Sequence, residues 1–399
     1  MMTSRERLLN VFNGGNGDRT PITIFVSDTD VSDGLVDNII RTRSGDRISD
    51  LIKFHEILDI DIMLRVSTNI YEPLAFDCDG ESWQNIWEPL SDGKYLVHRI
   101  VTPQGELKEV FNVEGEIFTE DSYKKDWMKL RNIRVEALVK TVDDLELIKK
   151  YRPPIPLYHL EHISEIKKKL GDSGVVLPRA SSSVFNYASG LMKLEDLLIA
   201  PLIQTELYNE LMAFCVQDVT TVSRQVVDAD GDVVRIIGNI ANGGMMSDKF
   251  YLDFVFPFEK QLVDFITSCG GKILFHNCGK SQSLLKIYKR LLDGHALESL
   301  STPDSGGDIA SLKESRELLG QNIVMVGNFD QVTLLKNGLP NQIRHEVKHI
   351  FNQISSDKKF IFSTSDSIIP GTPAENIIAL AEMARECSMK IYNQDNQKK

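Results

Sequence analysis

The sequence predicts an α/β protein: a (β/α)8 TIM barrel with an inserted β-hairpin or meander near residues 80–120. Three observations carry that prediction. Eight short apolar runs recur along the 399-residue chain at the spacing of βα units. The runs are apolar nearly throughout, as strands covered on both faces are, and each after the first follows a helix-like stretch. No G-x-G-x-x-G follows the first run, which weighs against the competing architecture, a doubly wound open sheet.

Taken in order, Thr3-Ser-Arg-Glu6 is a T-x-x-E capping box that opens an amphipathic helix with Leu8, Leu9 and Phe12 on one side. "GGNGDRTP" breaks that helix, and "PITIFV" (21–26) is the first strand candidate. "DIDIMLRV" (59–66) follows the helix "ISDLIKFHEIL", and "VVLPRAS" (175–181) follows "HISEIKKKLG". "DVVRIIGN" (232–239) comes after a long helical stretch around 203–229, and "GKILFHNC" (271–278) after "YLDFVFPFEKQLVDFITSCG". The last three candidates are "HALESLS" (295–301), "NIVMVGN" (322–328) and "KFIFSTS" (359–365), each with its own preceding helix. A final helix, "PAENIIALAEMARECSMKIY", leads into the polar tail "NQDNQKK", which is expected to fray. Residues 80–120 break the rhythm. Turn signals at Ser91-Asp-Gly93 and Pro103-Gln-Gly105 separate β-like runs, an insert placed to roof the site. The whole of 1–399 reads as one barrel domain containing that insert.

Charge narrows the partners. With 57 acidic against 45 basic residues the net charge is −12, and no basic stripe offers itself to a phosphate backbone or an anionic membrane. The five cysteines (Cys78, Cys215, Cys269, Cys278, Cys387) are odd in number and form no C-x-x-C pair. They suit a reducing compartment rather than a disulfide framework. No run approaches the ~20 apolar residues that span a bilayer, and charges occupy the place of a signal peptide's apolar core, so the expected location is cytoplasmic.

In such a barrel the chemistry sits at the C-terminal ends of the strands. The polar residues there are Ser27, Asp28, Arg65, Arg179, Asn239, His276, Cys278, Glu298, Asn328, Asp330, Ser365 and Asp366. Of these, Arg65, Arg179, Asn239, Glu298 and Asp330 are the substrate-binding candidates. His276 and Cys278 are two apart, so on an extended strand their side chains share a direction. Imidazole nitrogen with thiolate sulfur suits zinc once a third ligand joins them. The plainer reading is a strand-end histidine beside an inert buried thiol. Gly279 would let the backbone turn away after the strand. Phe185, Tyr187 and the insert's tryptophans are candidates for an aromatic pocket or for ordinary core packing.

Beyond these patterns the chain resembles the uroporphyrinogen decarboxylase superfamily, whose members are (β/α)8 barrels. The resemblance rests on "MTSRERLLNVFNGGNGDRTPI", "MMSDKFYLDFVFPFEKQLVDFI", "ILFHNCGK", "VGNFD" and above all "IIPGTPAENIIALAEMA", in that order over nearly the whole length. "WQNIW" and the hairpin after it look like the insert of the methyltransferase-like branches. True decarboxylases carry an arginine-rich first segment, a strand-end aspartate and a late histidine. Here the matching places read "VSDTDVS", "IMLRVS" and Asp366. The cobalamin-linked methyltransferases hold zinc with H-x-C and a later cysteine. His276 and Cys278 match the first two, and Asp366 stands where the cysteine would be.

The resemblance therefore implies a catalytic and metal-binding set of His276, Cys278 and Asp366, with Glu298 as an alternative third ligand. It implies zinc, a corrinoid (cobalamin) carried by a partner protein, a small methylated substrate and a homodimer. The missing cysteine tilts the expected substrate toward a methyl ether, hence an O-demethylase type of methyl transfer. Two other readings stand beside it. One is a carboxy-lyase acting on a tetrapyrrole, with Arg65 and Arg179 on carboxylates and Asp330 or Asp28 supporting the developing charge. The other is a degenerate barrel that binds a ligand without turnover.

Overall fold

The computed structural model describes residues 2–15, 17–28, 33–68, 70, 79–90, 93–114, 133–354 and 357–397. Its first two strands are β1 (Val26–Ser27) and β2 (Ile62–Val66). The insert supplies β3 (Gln84–Pro89), β4 (Tyr95–Thr102), β5 (Gly105–Asn112) and β6 (Arg134–Glu136). The chain then continues through β7 (Gly174–Ser182), β8 (Val234–Ile237), β9 (Ile273–Asn277), β10 (Ala296–Ser299), β11 (Val324–Phe329) and β12 (Phe360–Thr364).

Eight strands pair in the order β1-β2-β7-β8-β9-β10-β11-β12, all parallel. The ends of that sheet meet. Thr23 N donates to Phe362 O at 2.7 Å and Phe362 N to Pro21 O at 3.0 Å, so the sheet closes into a (β/α)8 barrel. Each sequence-predicted run carries one of the eight strands. The seam strand is split: residues 21–23 pair with β12, and Val26–Ser27 pair with β2. Pro21 has no N–H to extend the ladder at the seam.

The N-terminal helix, Ser4–Asn13, has the expected capping box, with Glu6 N donating to Thr3 Oγ1 at 3.1 Å and Thr3 N to Glu6 Oε2 at 2.9 Å. Its Leu8, Val11 and Phe12 join an apolar cluster with Met63, Val175, Leu177, Val233, Leu274, Ala296, Val324, Val326 and Ile361. Those strand residues lie toward the N-terminal ends of their strands, so the helix stoppers that end of the barrel. Asp61 fixes it there: it bonds Arg7 and accepts from Arg19 Nη1 and Ile22 N, both at 2.9 Å.

The insert is larger than a hairpin. Its four strands form an antiparallel sheet in the order β3-β4-β5-β6, and Pro103-Gln104 makes a two-residue link between Thr102 and Gly105. The fourth strand comes after residue 120, beyond the expected limit, because three residues of β-like sequence carry no periodic signal. Arg134 on β6 donates to the carbonyls of Ser189 and Gly190, tying the sheet to the helix Val184–Leu191 that follows β7. Residues 91–92 and 115–120 of the expected insert lie outside the described residues, as does Cys78. The closing helix, Ala374–Gln397, runs through most of the tail expected to fray, since no glycine or proline interrupts it after Pro373. No described helix is long and apolar enough to cross a membrane.

Candidate metal centre

Strand alternation sets the site. Leu274 faces the barrel interior, so His276, two residues on, faces it too; Ala296 and Glu298 repeat the pattern on β10. His276 and Glu298 are register partners, and this places an imidazole beside a carboxylate one layer above the apolar plug. Met63–Arg65 on β2 and Val233–Arg235 at β8 follow the same alternation.

The four charged or polar side chains of this layer are buried and joined. His276 Nδ1 lies 3.0 Å from Glu298 Oε2 and 3.1 Å from Ser299 Oγ. An ionised carboxylate only accepts, so Nδ1 carries the proton and donates. Arg235 Nε donates to the same Oε2 at 3.2 Å, and Arg65 Nη2 bonds Oε1. Burial alone would raise the Glu298 pKa, but Arg65, then Arg235, outweigh it and hold the carboxyl well below the usual carboxylate range. Phe25 completes the layer, with Arg65 3.7 Å and Arg235 4.9 Å from its ring centroid and the His276 ring in a T-shaped contact at 5.7 Å between centroids.

With Nδ1 engaged, the other imidazole nitrogen faces the mouth. His276 Nε2 lies 3.8 Å from Asp366 Oδ2, and Ser367 N donates to the opposite oxygen, Oδ1, at 2.7 Å, which orients the carboxylate. The Asp366 side chain is 32% exposed, so the cluster opens to solvent on this side. Ligand atoms of His276, Cys278 and Asp366 all lie within 4.8 Å of one another. Nitrogen, sulfur and oxygen donors in one cluster match the preferences of zinc, and three protein ligands leave a fourth position open. A carboxylate behind the histidine is the usual outer support of such a ligand. The residues present therefore fit the metal. Burial and then Arg235 pull the His276 pKa down, but bonding to Cys278 and Glu298 and the charge of Asp366 outweigh them and lift it to about 9.

The loop after β9 is built around Cys278. Asn239 Nδ2 lies 3.9 Å from Cys278 Sγ as a donor, and its Oδ1 accepts from Asn186 Nδ2 at 2.9 Å. Asn277 Oδ1 accepts from Gly279 N at 3.1 Å, and Asp308 Oδ1 accepts from Ser281 N and Gln282 N. Gly279 serves close approach rather than an unusual turn, for a Cβ there would stand 2.7 Å from Asn242 Cγ.

Several expected substrate contacts sit elsewhere. Arg65 and Glu298 stand near the ends of their strands, as expected, but are buried and spent on each other in the layer of His276. Asn239 meets the Cys278 sulfur. Asp330 is buried and uses Oδ1 to accept from Val332 N and Thr333 N, capping the π-helical turn Gln331–Leu335. Arg179 on β7 is half-buried and pairs in register with Arg235. Phe185 and Tyr187 belong to the core, and the Tyr187 hydroxyl donates to Asp218 Oδ2 at 2.7 Å. Trp83 is fully buried, and Trp87 stacks on His98 at 3.8 Å within the insert. Sequence reasoning missed Arg235 and Phe25. An arginine inside the apolar run "DVVRIIGN" was the available signal, since a buried guanidinium demands a partner.

Residues 126–387 match the uroporphyrinogen decarboxylase (URO-D) family. The chain belongs to that family. Among the relatives of this chain, the methylcobamide:CoM methyltransferase MtbA of Methanosarcina acetivorans is 24% identical over 255 residues, 63% of this chain and 70% of MtbA. A uroporphyrinogen decarboxylase of Geobacter sulfurreducens is 25% identical over 155 residues, covering 37% of this chain and 40% of its own. The solved structure of a methyltransferase from Methanosarcina mazei aligns over 97% of this chain and 99% of its own with a TM-score of 0.60 and 19% identity, which shows a common fold.

Proposed function

We propose that this URO-D protein moves a methyl group between a small methylated substrate and a corrinoid carried by a partner protein, with zinc held by His276, Cys278 and Asp366. One observation carries the reading: an imidazole nitrogen, a sulfur and a carboxylate oxygen converge within 4.8 Å at the open end of the barrel. The longer match to methylcobamide:CoM methyltransferases than to the decarboxylase supports the same branch.

Bound there, zinc would act as a Lewis acid on the atom from which the methyl departs or to which it is delivered. The protein's own groups do the rest. Glu298 holds the His276 Nδ1 proton, so Nε2 is the nitrogen aimed at the cluster. Asn239 donates toward the Cys278 sulfur and helps to hold it at the cluster. Asp366 supplies oxygen where sulfur would make a softer site, which favours an oxygen-bound methyl, a methyl ether, over a thioether. Arg179, on the wall beside Arg235, is a candidate for a substrate contact.

The test is metal analysis joined to a corrinoid assay. Purified protein carries close to one zinc per chain, and His276→Ala removes both metal and methyl transfer, followed through the visible spectrum of the corrinoid. Folded protein that stays metal-free at high zinc and is fully active refutes the mechanism.

A further inference from the structure

Among the described residues two carboxylates stand near His276, and the zinc reading needs one of them as its third ligand. The structure treats them very differently. Asp366 has Oδ1 fixed by the Ser367 amide and presents Oδ2 toward His276 Nε2 from a partly exposed position. Glu298 is fully buried, and both of its oxygens are occupied: Oε1 by Arg65, Oε2 by Arg235 and by His276 Nδ1.

The two guanidiniums are themselves fixed. Arg65 Nη1 donates to Met63 O at 3.1 Å, and Arg65 and Arg235 both lie against the ring of Phe25. Turning Glu298 toward a metal would leave two buried cations without their anion, an arrangement far costlier than the exposed adjustment open to Asp366. Glu298 also meets the wrong side of the ring to share a metal with it. It bonds Nδ1, whereas the cluster is on the Nε2 side.

We propose that Glu298 is a positioning residue, locked by Arg65 and Arg235, that aims His276 Nε2 at the metal and is itself withheld from it. This rests on the zinc reading above and assigns the third-ligand role to Asp366. Arg65 and Arg235 then serve as the clamp on Glu298 rather than as anion-binding groups for substrate. The layer beneath the cluster is thus a built support, two cations around one anion, whose effect reaches the metal only through the imidazole.

The experiment uses the full chain and two readouts besides activity. Zinc affinity is measured by competition with a chelator, and the coordination sphere by the visible spectrum of the cobalt(II)-substituted protein. Glu298→Gln is compared with wild type. So is Glu298→Gln combined with Arg235→Gln, which removes the anion with one cation and so restores the net charge of the layer. The double variant decides the matter if the single one fails to fold. The expected result is zinc binding weakened roughly 10–100-fold, the range for lost outer-shell support, with thiolate-to-cobalt and ligand-field bands at their wild-type positions. Unchanged affinity overturns the positioning role. A ligand-field pattern altered as for a lost oxygen donor also overturns it, by making Glu298 a ligand. Wild-type protein that binds neither metal sinks the zinc reading and this inference together, whereas wild-type binding with unaffected variants sinks only this one.

Discussion

Replacing Asp366 probes the metal cluster with the least disturbance to the fold. Its side chain is 32% exposed, and the bonds made by its carboxylate are a backbone amide and the approach to His276, so Asp366→Ala leaves no buried charge stranded. The magnitude follows from ligand count. Zinc held by four protein ligands gains about 10–16 kcal/mol, or about 3 kcal/mol per ligand if shared evenly. At 1.4 kcal/mol per factor of ten, losing one ligand weakens binding by about two orders of magnitude. Asp366→Cys should act the other way, giving a softer sulfur-rich site that binds zinc more tightly than Asp366→Ala does. It should also raise the intensity of the thiolate-to-cobalt band in cobalt-substituted protein. Chelator competition on wild type and both variants is the assay. Wild-type affinity in Asp366→Ala would refute the three-ligand cluster, because it would mean that the carboxylate contributes nothing to the metal.

Other expectations concern stability. His55 is buried with Nδ1 bonded to Leu51 O at 2.7 Å, and burial pushes its pKa down to about 4 from an unfolded value near 6.5. The unfolded chain therefore binds more protons between those values, so stability is full above pH 6.5 and is lost as pH falls toward 4. Denaturant melts should show a loss of about 2 kcal/mol from this group between pH 7 and pH 5, and His55→Leu should flatten that slope. Gly279→Ala should destabilise the loop after β9 by about 1–3 kcal/mol and weaken zinc binding, since the added methyl meets Asn242; an unchanged thermal midpoint would contradict this. Leu8→Ala opens a void in the stopper of the barrel and should cost about 2–5 kcal/mol in equilibrium unfolding while sparing zinc stoichiometry.

The eight barrel strands were legible because parallel strands covered on both faces must be apolar, and a run such as "GKILFHNC" announces itself. His276 and Cys278 were legible from the two-residue period, and Asp366 through the family resemblance, counted back from the Pro370-Gly-Thr-Pro373 close. Depth was not legible. Arg65, Glu298 and His276 all look like strand-end polar residues, yet register and layer decide which of them faces the opening. Arg235 and Phe25 acquire meaning only beside Glu298, 63 residues and two strands from Arg235 in one case and across the barrel seam in the other. Such pairings are made by closure of the sheet, which no local pattern encodes. The fourth insert strand was missed for a related reason: three residues of β6 owe their conformation to β5, not to themselves.

The stopper formed by Leu8, Val11 and Phe12 has a consequence for traffic. With the far end shut, the described residues leave the C-terminal mouth as the way in to His276 and the way out. On the proposed chemistry a small molecule must settle inside before a bulky corrinoid carrier covers the opening, and the carrier must lift away before the demethylated molecule escapes. A kinetic signature follows from geometry alone: ordered binding, with excess carrier trapping or blocking its smaller co-substrate.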